Sequence, residues 1–225
     1  MIVSIHQPAY LPWLGYFDKV SQADLFVYLD TVQYQKNSFQ NRNKIKTSTG
    51  PIWLTVPIKK SNIFQSTLQK TEIDNQINWR KKHINSIVTN YSKAPFFDLI
   101  NNEFLSFYDR EWEYLSDMCY EMLVWFMQIL NINTRIIKSS QLGSIEGNKS
   151  LLILNICKTL NASTYLSGAL GRDYLEEETF LDNSINIEYQ DYDHPEYSQL
   201  YNTFEKNMAA IDLLANESNP HKYFK

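Results

Sequence analysis

The chain has 225 residues and a mass of 26.5 kDa, 44% of it hydrophobic and 20% charged, the balance of a single soluble globular domain spanning residues 1–225. About 70% of the unfolded surface of such a chain is buried on folding, so no disulfide or metal staple is required, and six glycines and seven prolines exclude collagen-like and low-complexity chains. The net charge of -4 conceals an asymmetry: positions 31–71 hold seven basic residues (Lys36, Arg42, Lys44, Lys46, Lys59, Lys60, Lys70) and no acid, whereas positions 172–225 hold twelve acids against four bases.

In chain order, residues 2–5 predict a short strand, residues 13–23 a helix with Trp13, Leu14, Phe17 and Val20 at helical spacing, and residues 25–29 a buried strand. Such a β-α-β opening is what a parallel sheet requires. Residues 32–58 read as a hairpin insertion with Thr49-Gly50-Pro51 as a turn, residues 52–56 as a strand, and the basic residues on or beside it. A helix is expected over 78–90, then a long one over 97–130, whose stripe of Phe104, Tyr108, Trp112 and Leu115 belongs to the core. Strand 134–138, helix 149–160 and strand 164–166 suggest a second β-α-β unit, followed by strand 185–189 and a closing helix over 201–214. The expected fold class is therefore α/β: a Rossmann-like, mainly parallel sheet flanked by helices, with a basic β-hairpin insertion and a long helix.

The apolar run at 122–130 falls short of the roughly 20 residues of a membrane span. Residues 1–6 lack a basic n-region and a long apolar h-region, so no membrane span and a cytoplasmic location are expected. Cys119 and Cys157 read as buried free thiols, and without zinc-type spacings no metal site is expected. A local basic patch on an acidic chain suits a small phosphorylated ligand better than nucleic acid, with a solvated face as the plain alternative.

His6, Gln7, Tyr10 and Trp13 cluster where the first strand ends and the first helix begins, the place where open α/β sheets bind ligands. His6 is a candidate acid or base near neutral pH. A buried histidine tied by one hydrogen bond is the plainer reading, against which stands the density of hydrogen-bonding side chains at one strand end. Asp30, at the end of the second strand, is placed to orient a base or bind a hydroxyl or metal, or simply to cap a turn. Gln33, Lys36, Asn41, Arg42 and Asn43 combine amides with fixed positive charge; Arg42 offers a planar fork for phosphate oxygens and Lys36 a point charge. The chain has no glycine-rich loop of the P-loop kind. Ser167 and Gly168 close a later strand without a Gly-x-Ser-x-Gly elbow and read as a ligand-contacting turn. His194 is a second candidate acid or base. Trp79-Arg80-Lys81-Lys82-His83 is a second basic knot that serves a ligand or faces solvent.

The opening HQPAYLPWLGYFDKV, the stretch ADLFVYLDTVQYQKNSFQNRNKIKTSTGPIWLTVPI, and later TYLSG, DYL, HPEYSQL and AAIDLL closely resemble the WbqC-like protein family over nearly the whole chain. The motif positions are His6, Gln7, Pro8, Tyr10, Pro12 and Trp13, then Asp30, Gln33, Lys36, Asn41, Arg42 and Asn43, Thr55 and Pro57, Ser167 and Gly168, and His194. The resemblance implies a part in bacterial O-antigen or other surface-polysaccharide biosynthesis, through transfer of an aminoacyl (glycyl-type) or acyl group to the amine of a nucleotide-linked amino sugar. Ala209-Ala210 and Ala215-Asn216-Glu217 depart from the Leu-Ser and Phe-Asn-x-Gly expected there, which puts a role for the last helix in doubt. The layout is also similar to that of HxGH nucleotidyltransferases, although Tyr10 stands where the second histidine belongs. That second reading, an ATP-dependent nucleotidyltransferase or ligase, requires ATP with magnesium as cofactor. A non-catalytic sugar-nucleotide-binding protein is the third, and exposed tyrosines leave room for a homodimer.

Overall fold

Alternation along the strands sets the layers. In β1 (Ile2–His6) and β2 (Leu25–Tyr28), Val3, Ile5, Leu25 and Val27 join one apolar cluster, while Phe26 and Tyr28 join another on the opposite face, as the two-residue period of a strand dictates. The first cluster is closed by α5 (Lys149–Thr159), through Ile153, Leu154, Ile156 and Cys157, and by Phe180 of α6 (Glu177–Asp182). The second is closed by α1 (Leu14–Ser21) and α4 (Leu115–Ile129), where Phe17 meets Phe126 and Tyr28 meets Tyr120. The structure is a computed structural model and describes residues 1–59, 66–201 and 203–224. Lys60 of the basic segment and position 202 of the expected closing helix lie outside the described residues.

With β5 (Arg135–Lys138), β6 (Thr164–Ser167) and β7 (Asn186–Tyr189), β1 and β2 form a five-stranded, all-parallel sheet in the order β5-β2-β1-β6-β7. The fold is α/β and Rossmann-like, as the sequence predicts. From β1 the chain builds outward through β2 to β5 and then returns to β6 on the other flank of β1. The connections leaving β1 and β6 therefore diverge and open a crevice at their carboxyl ends, the switch point of the topology. Between β2 and β5 lie the antiparallel hairpin β3 (Arg42–Ile45) and β4 (Ile52–Thr55), with α2 (Trp79–Tyr91) and α3 (Phe97–Asn102).

Two elements differ from expectation. The helix expected over 97–130 is divided into α3, a 3-10 turn over Phe104–Tyr108 and α4. Residues 109–114 are drawn out because Ile73 N–H donates to Glu113 O (2.9 Å) and Leu115 N–H to Thr71 O (2.9 Å). Phe104, Tyr108, Trp112 and Leu115 are all buried nonetheless, so helical spacing persists through a segment that is not one helix. The closing helix is short, α7 (Ile211–Asn216). Ahead of it, Ala209 N–H donates to Lys44 O and Ala210 N–H to Pro12 O, both at 2.9 Å, which binds the chain to the hairpin instead of letting it coil. Both cysteines are buried and free. Among the described residues no helix is long and apolar enough to cross a membrane.

Candidate functional site

The crevice at the ends of β1 and β6 is a cavity of about 560 Å³ lined by His6, Gln7, Trp13, Gly15, Lys19, Ser167, Gly168, Tyr174 and Gln190, among others. Its walls follow from the topology: β1 ends in His6, β6 ends in Ser167, and α1 enters through Trp13 and Gly15. Five of the residues singled out in the sequence, His6, Gln7, Trp13, Ser167 and Gly168, thus meet in one place although 161 positions separate the first from the fourth (167 - 6).

His6 Nδ1 lies 2.8 Å from Gln7 O, so Nδ1–H donates to that carbonyl and Nε2 carries the lone pair. Burial, and secondarily the positive charge of Lys19, hold the ring neutral with a pKa lowered to about 3. The ring is seated edge-on against Trp13 and Tyr16. Gln7 is held through its Oε1 by Gln40 Nε2 (2.6 Å), and Gln40 Oε1 accepts from the backbone of Gln35 at the rim (2.7 Å). Gly171 keeps the far wall thin, since a Cβ there would lie 2.0 Å from Ser167 Oγ. Gly168 is the opposite case: a Cβ there meets nothing within 4 Å.

Of the cavity residues that escaped the sequence reading, Lys19 and Gln190 carry polar groups with fixed partners. Lys19, on α1, is 4% exposed and donates to Ile5 O (3.0 Å); burial lowers its pKa to about 7. In sequence it looks like the favourable charge at a helix C-terminus, which hides it. Gln190, just past β7, donates to Gly15 O (2.8 Å) and Asp18 Oδ2 (2.5 Å), pinning the start of α1 to the far end of the sheet.

The other candidates lie elsewhere. Asp30 Oδ1 accepts from Ser139 Oγ (2.8 Å) and Ser140 N–H (2.9 Å), and Oδ2 from Ser140 Oγ (2.7 Å); it ties the end of β2 to the turn after β5. His194 spends both ring nitrogens, Nδ1 on Pro195 O (2.9 Å) and Nε2 on Asn207 N–H (3.1 Å). Tyr10 is in the core, its hydroxyl 2.7 Å from His83 Nδ1 and 2.6 Å from Tyr108 OH. That places His83 of the second basic knot inside the molecule, with burial lowering its pKa to about 4. Asn41 Nδ2 donates to Val56 O, and Asn43 Nδ2 to Leu11 O, fastening the hairpin to a residue at φ 49°. Such an angle is rare outside glycine and asparagine. Gln33 pairs with Thr67 in an isolated bridge.

Arg42 and Lys36 are set on the rim side. Lys36 is exposed beside Gln35, and the Arg42 guanidinium lies 4.3 Å over the Trp53 ring while Nη2 donates to Asn37 O (2.6 Å). Trp53 meets Phe39 at 5.7 Å and Phe39 meets Trp13 at 5.1 Å. This aromatic tier, with Phe39 and Trp53 more than 40% exposed, runs from the cavity to the arginine. It offers stacking surface for a flat or sugar-like group with a cation at its end. Among the described residues no group of three His, Cys, Asp or Glu side chains is placed to hold a metal ion.

The WbqC-like protein family matches residues 7–223 of the chain. A Mycobacterium tuberculosis protein named as the uncharacterized protein Rv1507c is 35% identical over 216 residues, covering 95% of this chain and 93% of that one. No solved structure matches the chain.

Proposed function

The chain belongs to the WbqC-like protein family, and from that premise we propose that it is an enzyme of bacterial surface-polysaccharide (O-antigen) biosynthesis which transfers an acyl or aminoacyl group to the amine of a nucleotide-linked amino sugar. The observation that carries this reading is the convergence of the β1 and β6 motif residues on the switch-point cavity, continued by the aromatic tier toward Arg42 and Lys36. The acceptor sugar sits in the cavity. The nucleotide lies along Phe39 and Trp53, and its diphosphate meets Arg42 and Lys36.

In the transfer step the neutral amine attacks the acyl carbonyl, the new N–C bond forms, and the bond from the carbonyl carbon to its leaving group breaks. His6 Nε2 relays the amine proton to the leaving group as the bond to it breaks, so that no free imidazolium accumulates in a site that disfavours it. The Gln7 amide, whose Oε1 is held by Gln40, offers its N–H donors to the developing oxyanion. Asn43, whose amide is committed to Leu11 O, has a supporting role, as have Asp30 and His194. A crevice of this topology is equally a nucleotide site, which keeps a second reading, ATP-dependent activation of the donor with magnesium, on the same residues.

The test separates binding from turnover. His6→Asn lowers kcat about 10²- to 10⁴-fold with nucleotide-sugar affinity within a few-fold of wild type, whereas Arg42→Ala weakens affinity first. Parallel loss of both quantities in both variants contradicts this division of roles. Turnover that appears only with ATP and magnesium transfers the assignment to the second reading.

A further inference from the structure

Among the described residues two lysines are buried, and they are treated differently. Lys46 donates to Gln199 Oε1 (2.9 Å) and to Thr203 O, with the Asp212 and Glu205 carboxylates near enough to favour its charge. Among the described residues Lys19 has one acceptor, the Ile5 carbonyl, no ion pair, and no Asp or Glu along the cavity it lines. An ammonium taken out of water carries a large desolvation cost unless a counter-charge and further acceptors meet it. A leucine or methionine fills the same space at no such cost, so packing does not account for a lysine here.

No full negative charge meets Lys19 from the elements packed against it. His6 faces Lys19 from β1 as a neutral ring and supplies no counter-charge. Tyr165 on β6 and Tyr174 beyond it line the same cavity, as does Tyr16 on α1 itself, and burial raises all three phenols, keeping them neutral near pH 7. Asp18, the neighbouring acid on α1, has its Oδ2 occupied by the amides of Gln22 (2.7 Å) and Gln190 (2.5 Å). The start of α1 reaches the same cavity through Gly15, and Lys19 itself lies in the last turn, where the partial charge of the helix end offsets only a small part of an ammonium's desolvation.

We propose that Lys19 anchors an oxyanion subsite inside the cavity, which takes a carboxylate or phosphoryl oxygen of the substrate and is distinct from the Arg42 and Lys36 rim. For the identity of the whole molecule the proposal rests on the reading above. Its test uses simple anions without turnover, so the two fail separately. An anion beside Lys19 favours the ammonium form, so in the pH range where the free lysine has lost its proton, binding takes a proton up and the apparent affinity falls as pH rises.

Acetate and sulfate, the latter standing for a phosphoryl group, keep constant charge between pH 6.5 and 8.5 and serve as probes for calorimetric titration of the full chain. The expected result is saturable binding at pH 6.5 that weakens up to about tenfold per pH unit above neutrality. Lys19→Met abolishes it, and Lys19→Arg, which stays charged, retains binding without the pH dependence. A Lys36→Ala/Arg42→Ala double variant keeps the wild-type pH dependence. Tighter acetate assigns the subsite to a carboxylate and tighter sulfate to a phosphoryl group. Failure of both anions to bind, a wild-type affinity that ignores pH, or an unchanged pH dependence in Lys19→Arg overturns the proposal. If Lys19→Met does not fold, the arginine variant decides alone.

Discussion

His6 and His83 are both neutral because the protein around them disfavours the imidazolium, and this sets an acid limit on the fold. Their folded pKa values, about 3 and about 4, lie below the ordinary 6.5. Between those values and 6.5 the unfolded chain binds more protons, so stability is full above pH 6.5 and drains as pH falls toward 4, by up to about 1.4 kcal/mol per pH unit for each fully responding group. Urea midpoints measured from pH 7 to 4.5 are expected to fall steeply, and His83→Asn to make that slope shallower; an unchanged slope contradicts the burial argument. Lys19 acts in another window. Its folded value of about 7 lies below the ordinary 10.5, so stability rises as pH climbs from 7 toward 10, and Lys19→Met flattens that rise. His6 was legible in sequence because it closes a strand with a glutamine beside it. Lys19 was not, because only the fold shows that its side chain is buried against the cavity.

At the scale of elements, the sheet and its flanking helices were legible because strand alternation and helix spacing carry the burial pattern directly. The helix expected over 97–130 was not, because Phe104, Tyr108, Trp112 and Leu115 all stay buried while a bridge from residues 71–73 pulls the middle out straight. Tertiary pairing overrode a pattern that the core satisfies either way. Asp30 shows the same limit: a lone acid at a strand end reads as chemistry, yet here two serines and one amide claim its oxygens. Asp30→Ala leaves the buried Ser139 hydroxyl without its acceptor and frees the exposed Ser140, and is expected to lower stability by about 1–3 kcal/mol, read from urea or thermal unfolding. A variant of unchanged stability with a collapsed kcat would instead make Asp30 catalytic. The asparagines of the hairpin follow the same logic, since Asn43 secures the strained backbone of Leu11 and a change there acts on the fold before it acts on any ligand.

For the molecule as a whole, two apolar clusters share β2 as their common wall, and the excursion between β2 and β5 packs back on one of them. Loss of either cluster exposes the strands of the other, so calorimetry is expected to show one cooperative transition; two resolved transitions contradict that coupling. The sheet ends at the cavity, which draws on distant parts of the chain: β1 supplies His6, β6 ends in Ser167 beside Gly168, and the hairpin sets Arg42 at the end of the aromatic tier beside it. The central claim, that a nucleotide-linked amino sugar occupies this crevice, is most directly tested at Gly168. Its backbone (φ -70°, ψ 163°) accepts any side chain, and a Cβ there meets open space, so Gly168→Phe adds a ring to the cavity lining without straining the fold. Titration of the wild type with the amino-sugar nucleotide is predicted to give saturable binding that Gly168→Phe loses while keeping its unliganded Tm. Equal binding by the two proteins would place the ligand elsewhere and contradict the account.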